Sequence, residues 1–282
     1  MSSAILTVVF GLAASLFWGS GDFCGGLASR RDNPSSVVMA AYGAGFVLLV
    51  AIALIWREPL PQPIDIVWGA VAGLAGTIGL VTFYSALSAG RMGIVAPISA
   101  ILTAALPVTF GAFTQGLPGW IQIGGFVLAL IAVGLISRPE QQLKGRPEGL
   151  GLALVAGLGF GCFFILISRV SHGATFWPLA VARITSMFLL LILLGVRHQR
   201  VLPKKDVTVL VLLAGGLDAL GNAFFVLATH VGRLDVAAIL SSLYPAATVV
   251  LATIVLRERV TRVQALGIFL ALVAIPLIST KF

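Results

Sequence analysis

Apolar runs of about 19 residues or more, separated by short stretches carrying charge, Pro or Gly, recur from one end of the chain to the other. Nothing constrains the fold more. One helical crossing of a bilayer needs roughly 20 such residues, and in lipid the backbone must satisfy its own polar groups. Strands of a membrane barrel alternate polarity over about ten residues, whereas these runs are apolar on nearly every face. The expected fold is therefore an all-α membrane protein.

Ten spans are expected. The first five are Ala4 to Ala28, Pro34 to Trp56, Asp65 to Ala89, Gly93 to Gln115 and Trp120 to Ser137. After the polar stretch RPEQQLKGRPE come Gly149 to Ser171, Phe176 to Val196, Asp206 to Val231, Asp235 to Leu256 and Thr261 to Thr280. The first run has no Lys or Arg before it, so it lacks the basic start of a secretory signal peptide and is expected to remain as a helix.

Composition sharpens the exclusions. Hydrophobic residues make up 59% of the 282 and charged residues 10%, against roughly 45 to 50% and about 25% in soluble domains, so a soluble globular enzyme is excluded. The net charge of +8 comes from residues that punctuate apolar runs. That distribution anchors helix ends at one membrane face, and no nucleic-acid partner is expected. Cys24 and Cys162 sit inside apolar runs, and neither they nor His172, His198 and His230 have metal-ligand spacing. No metal or cofactor is expected.

The chain also resembles itself. The shift that carries Trp120 onto Arg262 lays WIQIGGFVLALIAVGLIS (Trp120 to Ser137) on RVQALGIFLALVAIPLIS (Arg262 to Ser279). The same shift lays Gly90-Arg91 on Gly232-Arg233, Phe83 on Phe225 and Gly19 on Gly161. One constant offset over several segments predicts two repeats, residues 1–137 and 149–282, joined by a loop at 138–148. Five helices per repeat is an odd number, so the second copy enters the membrane from the opposite face. Inverted repeats place a shared cavity near the bilayer midplane.

Two halves of five helices, FWGSGDF in the first helix, LYPAATVVLATIV in the ninth, and LRERVTRVQALGIFLALVAI beyond it resemble the EamA branch of the drug/metabolite transporter superfamily. The resemblance covers nearly the whole chain. It implies a secondary transporter or exporter of small metabolites, amino acids or related polar compounds among them, working by alternating access. Two departures stand out: TQGLPGW replaces LRERVTR in the first repeat, and Tyr42 lies near the place matching Arg183. A channel or an intramembrane enzyme is the alternative, although neither H-E-x-x-H nor G-x-S-x-G is present.

Thirteen Lys and Arg residues fall in the odd-numbered loops and four in the even loops and termini. By the positive-inside rule both termini are then outside, opposite to the arrangement often described for the resembled family.

Ionisable groups near the bilayer centre are costly and few, so each one is a candidate site. Asp218 is the deepest, about 12 residues or roughly 18 Å from either end of helix eight. Arg183, about 8 residues into helix seven, comes near the same depth from the other face. Two readings follow: a buried pair that fixes packing, or groups that bind opposite charges of a polar or zwitterionic substrate. Asp218 is also a candidate proton carrier for coupling. Asn222 shares its helix face. Asp22 is placed nearer an interface, within reach of Arg30 or Arg31, as a gate candidate. Trp18, Tyr84 and Tyr244 are candidate substrate-contacting aromatics. Pro245, with Pro97 and Pro107, removes backbone donors inside helices nine and four, either as static kinks or as gates. Glu258 among Arg257, Arg259 and Arg262 is expected to anchor a helix end. Expected partners are a small-molecule substrate, the lipid bilayer and a coupling ion such as the proton, and a monomer suffices to enclose the cavity.

Overall fold

A computed structural model describes residues 2–88, 92–137 and 150–280. Among them are eleven α-helices and no strand. In chain order they are α1 (Ser3–Ser29), α2 (Pro34–Ile55), α3 (Pro63–Ser88), α4 (Met92–Gln115), α5 (Trp120–Ile136), α6 (Leu150–Ile167), α7 (Phe176–Val196), α8 (Thr208–Val231), α9 (Leu234–Ser241), α10 (Tyr244–Leu256) and α11 (Arg262–Ile278). Among the described residues, seven helical stretches are long and apolar enough to cross a membrane, α9 and α10 together forming one of them. Three shorter apolar helices, at Trp120–Ile136, Gly151–Ile167 and Arg262–Ile278, complete the set. Large apolar side chains such as Val47, Phe113, Phe188 and Phe269 face outward. Such a perimeter suits acyl chains and not water.

The expected ninth helix is broken. α9 ends at Ser241 and α10 begins at Tyr244 with Pro245 in its first turn. Pro245 therefore does not interrupt a helix interior as the sequence suggested. It occupies a first-turn position, where a missing N–H costs nothing because that donor has no intrahelical partner.

Packing follows the repeat. α1 lies along α8 and α10 as α6 lies along α3 and α4, while α2 meets α7 and α5 meets α11. Small residues make these approaches possible. A methyl added at Gly45 would stand 2.8 Å from the Gly215 carbonyl oxygen, and one at Gly157 2.6 Å from Leu102 Cβ. Gly73 meets the Ala182 carbonyl of α7, and Gly215, its equivalent under the repeat shift, meets the Ala41 carbonyl of α2.

Helix-end contacts fix the direction of α2 against α7. At one end of the bundle the Glu58 carboxylate accepts the backbone N–H groups of Thr175, Phe176 (3.0 and 2.9 Å) and Trp177 (3.1 Å), capping the start of α7. At the other end Lys204 N–H donates to Asp32, and the Ser36 hydroxyl donates to the Arg200 carbonyl. The end of α2 thus meets the start of α7, and the two equivalent helices run antiparallel. Their C-termini also match: Arg57 and His198 both take the left-handed conformation (φ 52° and 49°), and the next residue's N–H reaches back to Ala53 and Leu194 at 2.9 Å.

Candidate functional site

The halves enclose a cavity of about 600 Å³. Its lining begins at Ser29, Pro34 and Ser137, helix ends or neighbours of helix ends, and descends to Trp18, Phe164 and Tyr244. Three levels can be distinguished: a small-residue mouth, a charged middle and an aromatic floor.

The middle level rests on α7 and α8. Arg183 donates from Nη2 to Asp218 Oδ2, with the arginine side chain 10% exposed and the aspartate 35% exposed, both toward the hollow. Asn222, one turn beyond Asp218, donates to the Asp218 carbonyl at 2.7 Å and to its carboxylate at 3.3 Å. The Arg183 guanidinium carbon stands 4.4 Å from the centroid of the Tyr42 ring on α2, a cation–π contact. The arginine charge is thus met by a carboxylate and by an aromatic face. Such matching is what a buried charge requires.

Asp22 comes from α1. Gly21 packs against the backbone of α8, so that a methyl there would be 3.2 Å from Asp218 N, and this contact brings the next residue to the same level. Asp22 is exposed, and it lines the hollow. Seven residues separate it from the end of α1 at Ser29, as counted along the sequence, and among the described residues no ion pair joins it to Arg30 or Arg31. Arg30 instead stands 3.7 Å from Glu258 across the open end, both side chains more than half exposed.

The floor is aromatic. Trp18 stacks on Phe164 with centroids 5.2 Å apart and planes at 7°, Phe164 lies 4.6 Å from Phe225, and Tyr244 meets Trp18 edge-on at 6.4 Å. Trp18, Phe164 and Phe225 are buried. Gly221 lies directly against the Trp18 ring, which fixes where that ring can sit.

The structure thus brings Trp18, Asp22, Arg183, Asp218, Asn222, Tyr244 and Pro245 to one cavity. Tyr84 belongs to α3, and its side chain lies outside the described residues. Sequence reasoning overlooked Phe164 and gave Tyr42 no role, although the Tyr42 ring faces Arg183. The signal for Tyr42 was available, since the repeat shift carries it to Ile184, the immediate neighbour of Arg183.

Beneath the floor, a second polar cluster joins the halves. Asp235, fully buried, accepts from Arg233 Nη2 at 2.6 Å, and Arg233 also donates to the carbonyls of Gln115 (3.0 Å) and Gly116 (2.6 Å) at the end of α4. Here the guanidinium caps a helix C-terminus, where cations are favoured. Among the described residues no group of His, Cys, Asp and Glu is placed to hold a metal ion.

Two matching sets of apolar helices around a charged hollow define a multi-pass membrane protein with a solute-sized internal site. The chain belongs to the EamA-like transporter family, whose model matches it twice, over residues 5–138 and 147–280. It is accordingly a membrane transporter of the drug/metabolite transporter superfamily. An uncharacterized protein of Methanocaldococcus jannaschii is 28% identical over 130 residues, which is 46% of this chain and 93% of that protein. That relative is about as long as one half. A solved crystal structure shares the fold, with a TM-score of 0.78, 20% identity, and coverage of 98% of this chain and 95% of the other.

Proposed function

We propose that the protein is a secondary carrier that moves small organic metabolites by rocking two inverted five-helix repeats, 1–137 and 149–282, about a shared site in a ten-span bundle. The observation that carries this reading is the hollow of about 600 Å³ between repeats whose equivalent helices α2 and α7 run antiparallel. Antiparallel equivalents are what an axis in the membrane plane requires, and such carriers bind substrate at the repeat interface. Arg183, Asp218 and Asn222 supply the polar wall, Asp22 a further charge, and Trp18 with Tyr244 the floor. Pro245 starts the half-helix that carries Tyr244 past the Ser242–Leu243 break, and this break is the proposed flexing point.

The mouth lies at the face where α1 ends and α8 begins, beside the Arg30, Arg31, Arg200 and Lys204 cluster. Basic loops favour the cytoplasm. We therefore assign the cavity to an inward-open state of a cell-membrane protein with both termini outside.

Purified protein in liposomes tests the reading. Saturable, gradient-dependent flux is expected, and Asp218→Asn and Arg183→Gln are expected to reduce it while the protein stays folded. Normal flux in both variants removes these residues from the site. Current that grows without saturation indicates a channel, and product without flux indicates an enzyme.

A further inference from the structure

The charged groups lining the cavity do not balance. Its lining holds two carboxylates, Asp22 and Asp218, and one cation, Arg183. Arg183 is already engaged with Asp218, and its guanidinium lies over Tyr42. Asn222 adds a donor to the Asp218 carboxylate. A substrate carboxylate entering the hollow would have to share Arg183 with Asp218 and stand near Asp22 as well, with no second cation in the described lining. An incoming cation meets the opposite situation. The Asp22 carboxylate has no ion-pair partner among the described residues and opens into the hollow at the level of Asp218.

The surroundings of Asp22 suit the same ligand. Trp18 lies one helical turn below it on α1, and Tyr244 meets the Trp18 ring edge-on. Phe164 and Phe163 extend the aromatic wall. Aromatic faces attract cations and also accept an apolar body, while a carboxylate within a membrane bundle is stabilised by a counter-charge. We propose that this cavity selects small organic monocations, amines with an apolar or aromatic body and no carboxylate, whose ammonium group binds Asp22 above Trp18 and Tyr244. The proposal rests on the carrier reading of the cavity and narrows its substrate class.

Three probes of one shape and different charge test it: phenethylamine, phenylalanine and 3-phenylpropionate, each titrated calorimetrically against the full chain in nanodiscs at neutral pH. Phenethylamine is expected to bind and the other two are not. Asp22→Asn is expected to weaken amine binding at least about tenfold, equivalent to about 1.4 kcal/mol, while Asp22→Glu retains most of it. Unchanged thermal unfolding midpoints show that both variants are folded, and a failed Asp22→Asn fold leaves Asp22→Glu and the three-probe comparison to decide. Phenylalanine or phenylpropionate binding as tightly as the amine, no heat from any probe, or amine binding indifferent to Asp22→Asn overturns the class. Flux in proteoliposomes separates the two readings. Amine binding without amine flux supports the charge class and sinks the carrier, whereas phenylalanine flux without amine binding supports the carrier and sinks the charge class.

Discussion

The two halves share a scaffold but not a cavity wall. Glycines that let helices approach recur in both: Gly19 with Gly161, Gly73 with Gly215, Gly79 with Gly221 and Gly125 with Gly267, each pair related by the repeat shift. In the wall the same shift pairs Asp22 with Phe164, Gly76 with Asp218 and Leu80 with Asn222, and all six residues line the hollow. Each pair has one polar and one apolar member. Helix approach tolerates little change on either side, so it keeps both repeats alike. The cavity wall has one side open to the hollow, and on that side the repeats are free to differ. The charge pattern proposed to read the solute therefore belongs to neither repeat alone.

The sharpest way to break this contrast is to load the shared scaffold. Gly73→Leu drives a side chain into the Ala182 carbonyl and Gly215→Leu into the Ala41 carbonyl, both of them backbone atoms that cannot swing away. Each is expected to cost at least about 3 kcal/mol, the upper end of overpacking, and to abolish the monodisperse peak in size-exclusion chromatography. Tolerance of one and not the other would show that the scaffold is unequal.

Next comes the unshared wall. Asp218→Leu strands the Arg183 guanidinium and is expected to destabilise by about 3 kcal/mol, the low end for a broken buried pair because Asp218 opens to the hollow. Combining it with Arg183→Met should restore most of the thermal midpoint but not transport. Recovery of both would mean that the pair is purely architectural.

The clasps at the two ends give a smaller effect. Glu58→Gln removes the charge at the start of α7 and is expected to cost about 1 kcal/mol in thermal unfolding. At the other end, backbone N–H groups of Lys204 and Asn33 hold the Asp32 carboxyl below its usual range. Its stabilising contribution is therefore complete above the ordinary carboxylate pKa of about 3.9 and lost as the pH falls through the lower folded value. Asp32→Asn should flatten that acid limb of a stability profile, with the loss seen at neutral pH and disappearing below the folded value. Smallest of all, Tyr42→Phe keeps the ring over Arg183 and is expected to shift stability by less than about 0.5 kcal/mol, whereas Tyr42→Leu removes a cation–π contact of about 0.5 to 2 kcal/mol.

Much of the architecture was legible because lipid forces it to be. Apolar run length located the helices, and the repeat offset located the partner of each. The depths of Asp218 and Arg183 could be counted along their helices, and the structure joins them. Three features could not be counted. The Ser242–Leu243 break is marked only by Pro245, which reads equally well as a kink, because a half-helix pair is as hydrophobic as one helix. The Glu58 clasp depends on which loops meet. The Trp18, Phe164 and Phe225 stack draws on three helices, and a single-sequence reading treats each aromatic alone.

The unequal clasps bear on how a carrier of this build divides its time. One end is held by three N–H donors on Glu58, the other by Lys204 N–H on Asp32 and the Ser36 hydroxyl. In the carrier proposed above, opening to the far side would have to undo the richer set, which would favour the state whose mouth is toward the basic loops. A solute arriving from the far side would then meet a rare receptor, and its apparent affinity would fall in proportion to that rarity. Identical chemistry at the binding level would then give different half-saturating concentrations on the two faces, while net flux still follows the gradients.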